Sequence, residues 1–143
     1  MIVLDTNVIS ELVRPQPDQR VLGWLDSFPR VEVYLTAVTA AELRYGVARL
    51  PDGRRKSELA ERVRRLTKEH FARRVLPFDD GAASYYAEIV ASREARGSPI
   101  SMADAQTAAI CLRHGAALAT RNTKDFVQID VGIVDPWESE PPA

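Results

Sequence analysis

The chain has 143 residues, 45% of them hydrophobic and 27% charged, with a net charge of −1. That size and mix fit one globular domain with a buried core and exclude a chain that is disordered throughout. One cysteine, Cys111, and two histidines, His70 and His114, exclude a disulfide scaffold and leave too few ligands for a cysteine- or histidine-based metal centre.

No apolar run approaches the roughly 20 residues that a membrane span needs. The start, Met1-Ile2-Val3-Leu4-Asp5, carries neither a basic leader nor a long apolar stretch, so no secretory signal is expected and the chain reads as cytoplasmic. The charge is unevenly placed. Residues 44–74 hold 11 Lys/Arg against 4 Asp/Glu, and the rest of the chain is correspondingly acidic. A local excess of that size attracts polyanions, although a solvated helix face with arginines outward is the plainer reading.

Ile2-Val3-Leu4 is too short for a helix and reads as a buried strand. Val8, Ile9, Leu12 and Val13 carry helical spacing over 7–13, which stops before Pro15. Val21, Leu22, Trp24 and Leu25 predict a second helix ending near Pro29, and 31–35 a strand. Helices follow over 40–50 and 57–71, separated by the turn Pro51-Asp52-Gly53. Residues 75–78 read as a short strand, 80–96 and 101–113 as helices closing at Gly97 and Gly115, and 117–120 and 132–134 as the last strands. Residues 138–143 form a polar tail to a domain spanning 1–137. Short apolar strands alternating with helices imply an α/β fold, a central parallel sheet of four to five strands with helices on both faces.

In open parallel sheets, functional groups collect beyond the carboxyl ends of the strands. Asp5 follows the first strand directly, and Glu42 follows the second within one short segment. Asp104 opens a helix after the Gly97-Ser98-Pro99 loop, and Asp125 follows the fourth strand. Such a cluster repels itself, and one or more members take up protons unless a cation is present. Mg²⁺ or Mn²⁺ suits a carboxylate-only site, and the chemistry these sites perform is usually phosphoryl hydrolysis. Each acid also has a plainer reading. Thr39–Glu42 and Ser101–Asp104 both match a helix capping box, Asp5 can cap the first helix, and Asp125 can be a solvated loop residue. Capping leaves unexplained why an apolar strand should deliver Asp5 into the interior, where an unpaired carboxylate is costly. Cys111 reads as core, His114 as support for a helix end, and Trp24 and Trp137 as packing residues. No serine-hydrolase elbow and no glycine-rich phosphate loop is present.

Four segments resemble the motifs of the PIN-domain VapC toxin family: Met1–Glu11, Thr39–Gly46, Ile100–Asp104 and Ala119–Phe126. The stretch Ser10–Pro17 and the ending Asp135-Pro136-Trp137 are most similar to its FitB-like branch. The resemblance implies a PIN-like three-layer sandwich and a metal-dependent endoribonuclease, the toxin of a type II toxin–antitoxin pair. It would hydrolyse RNA phosphodiester bonds by a metal-activated water. On that resemblance Asp5 and Asp104 are the principal ligands of Mg²⁺ (or Mn²⁺), and Glu42 is a further ligand or holds a metal-bound water. Asp125 supplies the fourth charge, or the site has three acids and the amide of Asn122. Thr6, Asn7 and Thr120 support it. The implied partners are an RNA substrate, a cognate antitoxin through which promoter DNA is contacted, and a second copy in a homodimer. The basic stretch carries no family motif. Its Arg54, Arg55, Lys56, Arg64 and Arg65 are candidates for an RNA-tracking face, or for docking an acidic segment of the antitoxin. Two rivals remain. One is a non-cleaving partner in a DNA-binding repressor complex. The other is a haloacid-dehalogenase-type phosphatase, which needs an aspartate where Asn7 stands.

Overall fold

The computed structural model describes residues 1–139. Five parallel strands form one sheet: β1 (Ile2–Leu4), β2 (Val33–Thr36), β3 (Val75–Leu76), β4 (Ala117–Ala119) and β5 (Ile133–Val134), in the order β3-β2-β1-β4-β5. The helices are α1 (Thr6–Leu12), α2 (Gln19–Asp26), α3 (Ala37–Ala48), α4 (Arg54–Arg65), α5 (Asp80–Ala95) and α6 (Met102–His114). The expected α/β sandwich is what the chain forms.

The alternation of β1 divides the core. Ile2 and Leu4 join Val8, Ile9, Val21, Leu43, Val47 and Val63, so α1 to α4 cover one face. Val3 points the other way, beside Leu118, onto Ala82, Ile89, Ala105 and Ile110 of α5 and α6. All three β1 residues are buried, which is why this strand reads as an unbroken apolar run. Because every pairing is parallel, the carboxyl ends lie along one edge. The chain steps outward from β1 through β2 to β3, then crosses to the other side of β1 for β4 and β5. The order therefore reverses between β1 and β4, the place where such sheets open a crevice.

Element ends differ from the sequence expectations where caps decide them. Helix α3 starts at Ala37 because the Thr36 side chain caps it, accepting the Thr39 N–H at 3.1 Å. Strand β2 starts at Val33, after a 3₁₀ turn at Arg30–Glu32. Helix α4 starts at Arg54 and gives way at Leu66–His70 to a π-helical turn. Two further 3₁₀ turns, Thr123–Phe126 and Pro136–Glu138, are too short to leave a periodic signal. Gly115 closes α6 in the left-handed conformation, φ 62°, as its position after His114 predicted. Of the polar tail 138–143, Ser139 Oγ reaches the Pro136 carbonyl at 2.6 Å, and 140–143 lie outside the described residues. No helix among the described residues is long and apolar enough to cross a membrane.

Candidate functional site

A crevice of about 540 Å³ opens at the β1–β4 reversal, lined by Asp5, Thr6, Asn7, Ser10, Glu11, Arg14, Glu42, Asp104, Arg121, Asn122 and Trp137. Three of the four sequence-predicted acids meet there. Asp5 is delivered by β1 and caps α1, its Oδ1 accepting the Thr6 N–H at 2.9 Å. Its Oδ2 accepts the Thr120 hydroxyl at 2.8 Å and the Asn7 carboxamide at 3.4 Å. Asp5 is only 7% exposed. Burial therefore pushes its carboxyl above the usual range, and the Glu42 charge adds to that. The bonds from Thr120, Thr6 and Asn7 pull the other way.

Glu42 projects from α3, and its Oε1 accepts the Thr6 hydroxyl at 2.9 Å. Asp104 sits at the third position of α6, where its N–H donates to the Ser101 hydroxyl at 3.2 Å. Ser101 thus caps α6, and Asp104 lines the same crevice as Asp5 and Glu42. Its carboxyl is also raised, first by burial and then by the charges of Asp5 and Asp125, while the Ser101 hydroxyl and the Arg93 charge lower it.

The supporting residues form one hydrogen-bonded unit. Thr120 Oγ1 donates to Asp5 and accepts both the Asn7 carboxamide and the Asn122 N–H, each at 3.1 Å. Asn7 Oδ1 in turn accepts the Arg121 N–H at 3.1 Å. Asn7 is thereby committed to bracing the β4 turn. Asn122 lines the crevice; Asp125 does not, its carboxylate acting on Asp104 as a nearby charge.

Among the described residues no three acid, imidazole or thiol groups are drawn close enough to enclose a cation. The carboxylates are spread over internal donors instead. Hard oxygen donors in an open polar crevice nevertheless fit Mg²⁺ or Mn²⁺. Mg²⁺ keeps most of its waters and takes only one or two protein carboxylates. Burial first, and neighbouring acid charges second, disfavour the ionised Asp5 and Asp104 carboxyls, and a divalent ion would offset both.

Sequence reasoning did not single out Glu11, Arg14 and Arg121. Glu11 is buried, accepting the Asp18 N–H at 3.2 Å and pairing with Arg14 at 3.4 Å. The Arg121 guanidinium lies 4.7 Å over the ring of Trp137, which is buried as a packing residue and also walls the crevice. The acids are therefore rimmed by two arginines. By contrast, none of Arg54, Arg55, Lys56, Arg64 and Arg65 lines it. Four of these five pair with acids on α4 or in the turns that flank it: Arg54 with Glu58, Lys56 with Asp52, Arg64 with Glu61 and Glu69, and Arg65 with Glu61.

Residues 2–132 match the PIN domain family. The chain belongs to that family. It is 47% identical over 137 residues to Toxin FitB of Neisseria gonorrhoeae, covering 96% of this chain and 99% of that one. It is 44% identical over 138 residues to VapC ribonuclease Y4jK of Sinorhizobium fredii, covering 96% and 99%. A solved structure of FitAB bound to an IR36 DNA fragment superposes with a TM-score of 0.90 at 46% identity, covering 98% of each chain.

Proposed function

We propose that this chain is a metal-dependent endoribonuclease and the toxin of a toxin–antitoxin pair. The observation that carries the reading is the meeting of Asp5, Glu42 and Asp104 at the β1–β4 crevice of a PIN domain. Its likeness over nearly full length to a VapC ribonuclease and to a toxin supports it.

Asp5 and Asp104 would hold Mg²⁺ or Mn²⁺, with Glu42 as a third ligand or as the anchor of a coordinated water. Bound there, the ion would acidify a water and neutralise charge on the scissile phosphate. The chain's own residues do the rest. Thr6, Thr120 and Asn7 fix both oxygens of Asp5 before any ligand arrives. The Thr6 hydroxyl holds Glu42 on the same side. Arg14 and Arg121 stand at the rim, where they can take the phosphates that flank the cleaved bond. The arginines of α4 are a more distant track, since most of their charge is already paired.

The test is RNA cleavage by the purified chain with Mg²⁺ or Mn²⁺, against chelator, Asp5→Asn and Asp104→Asn. Cleavage that needs the metal and vanishes in both variants, with folding intact by circular dichroism, is the expected result. Cleavage that survives both substitutions would remove the assignment. A second reading is supported by the solved structure of FitAB bound to an IR36 DNA fragment: this chain would also sit with an antitoxin on DNA. The two separate cleanly, because Asp104→Asn should abolish cleavage and leave co-purification with the antitoxin and DNA binding unchanged.

A further inference from the structure

Arg93 lies in the last turn of α5 and is 6% exposed. Among the described residues it forms no ion pair, although a buried guanidinium is costly unless its donors are taken. Four of its five N–H donors go to two loops. Nε donates to the Ser98 carbonyl at 2.7 Å, and Nη2 to the Ser98 hydroxyl at 3.4 Å. Nη1 donates to the Asp125 carbonyl at 3.1 Å and the Val127 carbonyl at 3.4 Å.

The two loops are the ones that place half of the site. Ser98 belongs to the connection that enters α6, whose third residue is Asp104. Asp125 and Val127 flank Phe126, which is 1% exposed and anchors the turn that begins at Asn122. The guanidinium fork is wide enough to hold both loops at once, which an ammonium is not. Its charge also acts on Asp104, against the repulsion from Asp5 and Asp125.

We infer that Arg93 is a positioning residue for the carboxylate site: it ties the loop that sets Asp104 to the turn that begins at Asn122, and so fixes the spacing of Asp104 and Asn122 toward a divalent cation. This rests on the metal-dependent reading above. Groups that orient ligands from behind typically change metal affinity by about 10–100-fold when removed.

The experiment measures Mn²⁺ binding by calorimetry, with backbone hydrogen exchange on the same samples, for the full chain and for Arg93→Gln and Arg93→Lys. Arg93→Gln should weaken Mn²⁺ binding by roughly tenfold or more. It should also release exchange protection in 98–104 and 122–127 together. Arg93→Lys, which keeps the charge and carries the test if the glutamine variant does not fold, should keep protection near Ser98 and lose it near Asp125. Its Mn²⁺ binding should weaken as well. A purely structural role would reduce the number of binding-competent molecules at unchanged affinity. Unchanged affinity in either folded variant, with normal binding by the unsubstituted chain, overturns the role of Arg93 alone. Absence of Mn²⁺ binding by the unsubstituted chain instead overturns the metal reading, and the positioning role with it.

Discussion

The Thr120 hydroxyl donates to Asp5 Oδ2 at 2.8 Å, joining the ends of two neighbouring strands that are 115 residues apart in sequence. Thr120 is fully buried, and the same oxygen accepts from Asn7 and Asn122. Thr120→Val keeps the shape and removes the hydroxyl. Asp5 then loses a donor, and two N–H groups lose their acceptor. Leaving buried polar groups unpaired costs about 1–3 kcal/mol each before relaxation. Urea denaturation of Thr120→Val should show a loss in that range, and Thr120→Ser should recover most of it. A valine variant as stable as the parent would mean that water replaces the hydroxyl, so that the bond is not needed to hold Asp5.

Asp5 and Asp104 set an opposition between function and stability. Both carboxyls titrate above their ordinary value in the folded chain, because burial disfavours the ionised form, helped by the charge of Glu42 on Asp5 and of Asp5 and Asp125 on Asp104. The folded state therefore binds more protons than the unfolded state between the ordinary carboxylate value and the raised one. Stability from these groups is highest below that window, falls as pH rises through it, and stays reduced above it. Asp104→Asn removes one of the two charges without removing the helix start, which Ser101 still caps. The metal-free variant should melt higher than the parent at neutral pH, with the gap closing as pH falls through the carboxylate range. Thermal melts with chelator at several pH values check this. A gap that is independent of pH would show that the gain comes from packing and not from charge.

How much of this was legible in the sequence varies with the cause. Asp5 could be placed because an apolar strand ends on it, and Asp104 because a loop and a cap precede it. The two-face helical cover followed from unbroken apolar strands. Glu11 and Arg14 could not be placed. Their i,i+3 pairing is a local spacing, but their place on the crevice depends on the Pro15–Pro17 segment folding so that the Asp18 N–H reaches back to Glu11, which no spacing marks. Arg121 is marked only once β4 fixes its direction and Trp137 packs beneath it. The opposite case is α4. A net charge count drew attention to its arginines, yet Glu58 and Glu61 stand three or four residues from Arg54, Arg64 and Arg65, a spacing that pairs charges on any helix.

Cys111 offers a probe of the second core. It is fully buried on α6, and burial pushes its thiol up to about 12. A thiol at that value is protonated at neutral pH and is a poor nucleophile. A thiol-reactive dye should leave the folded chain unlabelled and react fully in denaturant, at a rate that follows unfolding. Rapid labelling of the folded chain would show that α6, and with it Asp104, opens on the timescale of the assay.

The rim and the helix make different demands on RNA binding. Each phosphate neutralised on a single strand contributes about 0.7 to the slope of log affinity against log salt. Arg14 lends part of its charge to Glu11, and Arg121 has no carboxylate partner among the described residues. Arg64 and Arg65 share Glu61, and Arg64 also reaches Glu69. In an Asp104→Asn background, which on the proposed function should bind RNA without cutting it, Arg121→Ala should lower the slope by about 0.7, and Arg14→Ala by less. Alanine at Arg64 or Arg65 should change it little, because each guanidinium is already neutralised by a glutamate and displaces few counterions from RNA. Charge reversal at both positions should still weaken binding and flatten the slope, through the long-range field of α4. Fluorescence anisotropy with a short single-stranded RNA over a salt series reads all of these. Equal slopes for Arg121→Ala and the parent would remove the rim from the binding path. A full unit lost at Arg64→Ala would return the main track to α4.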